Sequence, residues 1–307
     1  MDAVYGVIVT ALEGSSGLQV AELPDPVAEA GQVLVKVRAV CVQPADIGAT
    51  TGMVPRGPDK PPFLPGWDIA GDVVSVGADV TEFGVGDRVV GMIPWYLTRG
   101  APGGYAELVA ADTSWLVAPP DNVDYPDAAT IPLNGMTAYQ ALGLLSLDEP
   151  TTILVTGASG GVGGFAAQLA VQRGHRVLAC ASEGDEEWVG GLGVVKVIPR
   201  STDLATVGPV PAVLDAVPLG KAADSAAAFG ATVVTTRPTP PIDPARAVRQ
   251  DLQLIRHDRE LLAKLVGLVA SGELRTRVAA TMPLAEAAEA HRRVEAGGVR
   301  GKIVLVP

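Results

Sequence analysis

The chain is poor in the side chains that build metal centres and disulfide frameworks, with two cysteines and three histidines in 307 residues. Cys41 and Cys180 are far apart and sit in apolar, strand-like runs, so buried thiols are expected rather than a disulfide or a metal pair. Positive charge is also scarce. Against 34 acidic residues stand 23 lysines and arginines, a formal net charge of -11. The acidic residues are scattered, and their field repels nucleic acid and anionic membranes. No apolar run approaches the roughly 18 residues of a membrane span. The stretch MDAVYGVIVT has no basic segment of the kind that opens a secretory signal, so a cytoplasmic location is expected. What remains is 48% hydrophobic and 19% charged, long enough for two domains with a large core.

One stretch is rich where the rest is lean. From Thr151 to Ala170 the sequence TTILVTGASGGVGGFAAQLA runs from a β-branched segment through a glycine cluster into an alanine-rich helical pattern. Ile153–Val155 suit a buried parallel strand, and Phe165–Val171 begin a helix. Gly157, Gly160, Gly161 and Gly163 permit a sharp turn and close approach to a ligand. A diphosphate on that helix N-terminus would meet unpaired backbone N–H groups and the positive end of the helix dipole. Ser159, Gly160, Gly161 and Val162 are therefore candidate dinucleotide contacts. The position where an acidic residue would bind the ribose of NAD falls at the end of the next strand, Arg176–Ala181, and holds Ser182 followed by Glu183. Serine leaves room for a 2′-phosphate, whereas Glu183 repels one or binds a diol. Arg200 is a candidate cationic partner, and NADPH is favoured over NADH.

The texture changes along the chain. Short valine-rich segments at Val4–Val9, Val33–Val40, Ile69–Val76, Arg88–Met92 and Tyr105–Ala110 are punctuated by glycine and proline, which predicts an irregular β-barrel. From about Asp127 helices and strands alternate as a doubly wound parallel sheet requires. Helices are expected at Ala138–Leu145, Glu186–Leu192 and Ala222–Phe229. Strands are expected at Val194–Ile198, Ala212–Ala216 and Thr232–Thr235, with a last one at Leu252–Ile255. Arg259–Ala270 and Leu284–Glu295 read as helices and Lys302–Val306 as a closing strand. The fold class is α/β.

Seven segments carry a resemblance: AVCVQPAD (Ala39–Asp46), LPGWDIAGDVVSVG (Leu64–Gly77), GDRV (Gly86–Val89), GGYAELVAAD (Gly103–Asp112), IPLNGMTAYQAL (Ile131–Leu142), the glycine loop, and RGKIVLVP (Arg300–Pro307). In this order they resemble the medium-chain dehydrogenase/reductase superfamily, in its zinc-independent branch of quinone oxidoreductases similar to zeta-crystallin and polyketide enoyl reductases. The resemblance implies a GroES-like β-barrel domain from both chain ends (1–124 and 260–307) and an inserted Rossmann doubly wound domain (125–259). It further implies an active site in the cleft and a homodimer joined through sheet edges.

Departures within the motifs bear on the chemistry. The slots that hold catalytic zinc ligands in relatives are occupied by Gln43, Trp67 and Leu133, which make no zinc set. His175, His257 and His291 fall outside the matching segments and are expected at the surface. Without a Lewis acid, the fitting acceptor is a quinone or an α,β-unsaturated carbonyl, which needs positioning and hydrogen bonds to a developing oxyanion. Gln43 is either the donor of such a bond, a contact of the nicotinamide ribose, or a turn residue before Pro44. Asn134 and Thr137 resemble residues that hold the nicotinamide ribose and phosphate, or cap a helix. Thr235 and Thr236, at a strand end, either place backbone groups against the carboxamide or reflect only local strand-end polarity. Trp67, Trp95, Tyr96 and Met53 either wall an apolar pocket, shaped by the loops Thr51–Pro62 and Ile93–Pro102, or serve as loop packing beside glycine and proline. Asp46 is expected to be structural, held by backbone N–H groups. The expected activity is zinc-free hydride transfer from NADPH to a quinone or activated alkene. The alternatives are an NADPH-binding structural or redox-sensing protein and an alcohol dehydrogenase with a displaced metal site.

Overall fold

In the computed structural model, residues 3–53, 58 and 60–307 are described. The loop expected at Thr51–Pro62 therefore lies partly outside the described residues. Two compact units emerge: Met1–Leu133 with His257–Pro307, and Asn134–Arg256.

The first unit starts with an antiparallel pair, β1 (Val4–Val9) and β2 (Leu18–Leu23). Its main sheet uses β3 (Gln32–Cys41), β4 (Asp68–Val76), β5 (Arg88–Met92), β6 (Leu108–Asp112) and β7 (Leu116–Val117). Alternating burial along β3 turns Val33, Val35, Val37 and Ala39 inward, as period-two spacing requires. Between the strands lie α1 (Pro44–Thr50), α2 (Trp95–Thr98) and α3 (Tyr125–Thr130). Proline suits the start of α1, and Asp46 one turn in accepts the Gln43 N–H at 2.7 Å.

In the second unit, α4 (Pro132–Leu144) leads into a sheet in which every pairing is parallel: β8 (Thr152–Thr156), β9 (Arg176–Ala181), β10 (Lys196–Pro199), β11 (Val210–Asp215), β12 (Ala227–Thr235) and β13 (Arg249–Leu252). Helices α5 (Gly161–Gln172), α6 (Glu186–Gly190) and α7 (Lys221–Ser225) connect the strands. The strand order β10-β9-β8-β11-β12-β13 is that of dinucleotide-binding sheets, with the reversal between β8 and β11. Leu154, Cys180, Ile198, Val213 and Val233, one from each of β8 to β12, join a single buried layer.

The chain then returns to the first unit through α8 (Arg259–Ala270), β14 (Val278–Pro283), α9 (Ala287–Ala296) and β15 (Lys302–Val306). Asp258 caps α8 by accepting the Leu261 N–H at 2.9 Å. β15 pairs antiparallel with β3, Val304 opposite Cys41, so both chain ends share one sheet.

Three expectations are corrected. The alanine-rich helix expected at Ala222–Phe229 stops at Ser225, and Ala227 already belongs to β12. Gly230 has φ of +71, outside the helical region, and pairing with β11 overrides alanine's preference. The strand expected at Tyr105–Ala110 begins at Leu108, because the Tyr105 N–H donates to Pro65 O and the Val7 N–H donates to Tyr105 O, drawing Tyr105 away from the β3–β6 ladder. The last parallel strand is Arg249–Leu252 rather than Leu252–Ile255, set by register with Thr232–Thr235.

Candidate active site

The glycine turn sits at the carboxyl end of β8, where the strand order reverses. Gly157 has φ of +67, and Gly163 passes so close behind it that a Cβ there would lie 2.2 Å from Gly157 O. Only glycine fits that crossing. Gly160 precedes α5 in an extended conformation; no side chain caps the helix, and its first turn holds no acidic residue. The first N–H groups of an α-helix have no partner inside it. Those of Gly161 and Val162 thus form a shallow cradle suited to an anion, and a dinucleotide diphosphate fits the residues present. Beside the turn, Thr156 Oγ1 donates to Asp215 Oδ1 at 2.6 Å and the Gly220 N–H donates to Asp215 Oδ2 at 3.1 Å, which ties the ends of β8 and β11 together. Burial nevertheless pushes the Asp215 carboxyl above its ordinary pKa.

Ser182, at the expected ribose position, contacts the glycine turn. Ser159 Oγ accepts the Ser182 N–H at 3.0 Å, joining the turn to the end of β9. Arg200 is exposed, and its N–H donates to Ala181 O at 2.8 Å. Glu183 Oε1 accepts the Ser201 N–H at 3.1 Å; hydrogen bonding to Ser201 holds its carboxyl below the ordinary value. Thr235 is buried at the end of β12, where its carbonyl accepts the Gln253 N–H at 2.8 Å. Thr236 donates its N–H to Asp215 O and its hydroxyl to Ala216 O. Asn134 and Thr137 lie buried in the first turns of α4.

In the barrel unit a polar cluster is closed off from solvent. Lys302 Nζ, at the start of β15, donates to Gln43 Oε1 at 2.8 Å. Gln43 Nε2 donates to Asp68 Oδ2 at 2.7 Å and faces Cys41 Sγ at 3.3 Å. Asp68 Oδ1 accepts the Leu133 N–H at 2.8 Å. Asp46 accepts N–H groups from Gln43 at 2.7 Å and Gly66 at 2.9 Å, in the structural manner expected of it. Tyr105 Oη lies 3.4 Å from Asp46 Oδ2 and 3.0 Å from His291 Nε2. Gly66, with φ of +108, lets the chain press against Gly104 and Tyr105, where a Cβ would come within 2.8 Å.

Burial raises the Asp46 and Asp68 carboxyls to about 7 each, against the pull of their hydrogen bonds and the Lys302 ammonium. Burial lowers His291 to about 4, so its imidazole is neutral at pH 7. It holds Tyr105 well above the ordinary phenol range.

Two expectations change here. Gln43 is 0% exposed and its amide is committed on both sides, so it has no free donor for an acceptor oxygen. His291 is 0% exposed rather than on the surface. Its spacing from Ala287 and Ala290 on the buried face of α9 is the signal that places it inside. Lys302 was missed because a lysine in an apolar strand reads as a solvent-facing residue until its partner 259 positions earlier is known.

Beside this cluster, Trp67 packs against Trp95 and Tyr96 with ring centroids 6.0 and 6.1 Å away, and Phe63 meets Trp95 edge-on at 5.6 Å. Met53, expected in the same wall, is 74% exposed. The residues in the ligand slots do not fit zinc. Gln43 is committed, the Trp67 indole only donates, and Leu133 offers an apolar side chain. Among the described residues no group of three or more His, Cys, Asp or Glu is placed to hold a metal ion.

Residues 29–121 match the alcohol dehydrogenase GroES-like domain, and residues 192–305 match the zinc-binding dehydrogenase family. A chloroplast envelope quinone oxidoreductase homolog of Arabidopsis thaliana is 32% identical over 96% of this chain and 95% of its own. An NADPH-dependent alkenal/one oxidoreductase of the same plant is 31% identical over 90% of this chain and 72% of its own. The quinone oxidoreductase from Coxiella burnetii superposes with a TM-score of 0.88 at 26% identity, covering all of both chains. Among the described residues no helix is long and apolar enough to cross a membrane.

Proposed function

The chain belongs to the medium-chain dehydrogenase/reductase superfamily, in its quinone oxidoreductase branch, and from that premise we propose that it reduces quinones or activated alkenes with NADPH and without zinc. The observation that carries this reading is the glycine turn at the reversal of the strand order, supported by the occupation of the expected ligand slots by Gln43, Trp67 and Leu133. When bound, the nicotinamide supplies the hydride.

The chain's own residues bind and orient. The N–H groups of Gly161 and Val162 receive the diphosphate, that of Gly160 being spent on Gly157 O at 2.9 Å, and the Ser159 hydroxyl fixes the turn against Ser182. Ser182 leaves space at the ribose, and Arg200 supplies positive charge for a 2′-phosphate. The Glu183 carboxylate is engaged by Ser201, which supports NADPH over NADH. Asn134 and Thr137 orient the nicotinamide ribose. Thr235 and Thr236 line the carboxamide side, Thr236 by its unreacting surface because its N–H already serves Asp215. Gln43 acts from behind as a buried brace. The rings of Trp67, Trp95 and Tyr96 exclude water from an acceptor whose own carbonyl polarises the reacting carbon.

The assay is NADPH oxidation followed at 340 nm with a panel of quinones and enones. Turnover at least about tenfold more efficient with NADPH than NADH is expected, and insensitivity to chelator. Cofactor binding without turnover on any acceptor would leave only a binding protein. Loss of activity on chelation would return the metal site. We also propose a cytoplasmic homodimer; β13 ends the six-stranded sheet with Leu252 39% and Leu254 64% exposed nearby. Light scattering of the purified protein tests the dimer.

A further inference from the structure

Five buried side-chain polar atoms among the described residues have no hydrogen-bond partner: Trp67 Nε1, Asp224 Oδ1, Asp251 Oδ2, His257 Nδ1 and His291 Nδ1. They are not equivalent. A carboxylate oxygen is an acceptor whose empty lone pair is tolerated more readily than an unpaired N–H. Asp251 Oδ2 also lies 3.5 Å from Arg249 Nε. Each histidine can place its proton on the other nitrogen. His257 Nε2 faces Ser114 O at 2.8 Å and His291 Nε2 faces Tyr105 Oη at 3.0 Å, so both Nδ1 atoms can be bare. The indole nitrogen has no such choice, because it always carries its hydrogen and only donates. Trp67 Nε1–H is thus the one obligate donor of the five, and leaving it unpaired costs stability that ordinary packing has no reason to accept.

Its surroundings sharpen the point. The neighbouring indole, Trp95, donates to Leu64 O at 2.8 Å and is fully satisfied. The amide of Gln43 is spent on Asp68 and Lys302, and the ammonium of Lys302 is directed at Gln43. Trp67 is 4% exposed, and of the rings around it Phe63 and Trp95 are buried while Tyr96 is partly exposed. A ligand oxygen reaching Nε1 would supply the acceptor that this indole lacks.

We propose that Trp67 Nε1–H is a catalytic hydrogen-bond donor to the carbonyl oxygen of the quinone or enone. This assignment rests on the reductase reading above. The hydride brings two electrons and one hydrogen nucleus to the acceptor, and negative charge gathers on the acceptor oxygen. Water then supplies the proton that completes the reduced product. The indole keeps its own hydrogen throughout and acts by stabilising the developing oxyanion in a site with little water.

Two measurements test the assignment. In Trp67→Phe, which keeps a ring and removes the N–H, kcat/KM for quinones and enones is expected to fall about 10- to 100-fold, with the dissociation constant for NADPH within about twofold of wild type. A kcat/KM within about twofold of wild type overturns the proposal. Independently of turnover, wild-type protein labelled with ¹⁵N-tryptophan has four indole N–H signals, one per tryptophan. With single Trp→Phe variants for assignment, 1,4-naphthoquinone added without NADPH is expected to move the Trp67 signal downfield. A Trp67 signal that does not move at saturating quinone overturns the proposal, and this measurement decides alone if Trp67→Phe does not fold. Wild-type protein that binds NADPH yet oxidises it with no acceptor overturns the reductase reading and this assignment with it. Active wild type with an unaffected variant overturns the assignment alone.

Discussion

The two units of this protein handle buried polarity in opposite ways. In the dinucleotide unit the candidate site is made of backbone: a positive-φ glycine, a second glycine crossing within a Cβ length, and an uncapped helix start. Its buried carboxylate, Asp215, meets partners at the ends of neighbouring segments, Thr156 and Gly220. In the barrel unit polarity is carried by side chains from four distant parts of the chain, around Gln43, Asp68, Tyr105 and Lys302. A cradle built from backbone tolerates change in most side chains but none at the crossing glycine. A buried ionic cluster tolerates changes of backbone context but not the loss of one charge.

The largest effect is expected at Lys302, the one buried lysine or arginine of the barrel unit among the described residues. Lys302→Met leaves Asp46 and Asp68 without a counter-charge, and a loss of about 3–5 kcal/mol is expected from urea unfolding, as for a buried pair broken on one side. A loss under about 1 kcal/mol would mean that both carboxyls are already neutral and the comparison drawn above is wrong. Next comes the cradle. Gly163→Ala forces a methyl group to 2.2 Å from Gly157 O, so about 1–3 kcal/mol of stability should be lost. NADPH affinity, read by fluorescence titration, should weaken at least about tenfold, whereas Lys302→Met protein that remains folded should bind NADPH as wild type does.

A pH series separates two kinds of buried group within the barrel unit. The Asp46 and Asp68 carboxyls are raised from 3.8 to about 7 by burial, so the folded protein holds protons that the unfolded chain has already released. Their contribution is therefore fully present below about pH 4 and is lost as pH rises through about 7. Asp68→Asn should gain on wild type over that interval by up to about 1.4 kcal/mol per pH unit. His291, lowered from 6.5 to about 4, works the other way: its contribution is present above 6.5 and lost as pH falls through about 4. A variant-minus-wild-type stability difference that is flat with pH would remove the protonated carboxyl from the barrel. The smallest effect is expected at the ribose end, where Arg200→Ala should raise KM for NADPH about fivefold and leave that for NADH unchanged. That ratio is about 1 kcal/mol of charge interaction at an exposed site. An equal rise for both cofactors would assign Arg200 to the fold rather than to the phosphate.

How much of this was legible follows the same division. The turn from Gly157 to Gly163, strand β8 and helix α5 could be read directly, because glycine content and apolar period are properties of neighbouring residues. Strands β1, β5 and β15 coincide with the apolar runs that predicted them. β12 was misread at its start because Ala226, Ala227 and Ala228 favour a helix locally and pairing with β11 prevails. Among candidate site residues, Ser159 and Ser182 stand 23 positions apart in the sequence and are joined by a hydrogen bond. The sequence marks Gln43 as a candidate site residue, but not its orientation, which depends on Lys302 and Asp68.

The sequence by itself determined the parallel α/β unit and the glycine turn, since each depends on residue types at short spacing. Only the tertiary structure decided which polar groups have partners. Hydrogen-bond satisfaction is a property of three-dimensional neighbours: Lys302 and Gln43 meet across 259 positions because β15 returns to β3. The same closure commits the Gln43 amide, while packing turns His291 inward and leaves the Trp67 indole N–H, among the described residues, a buried obligate donor without an acceptor.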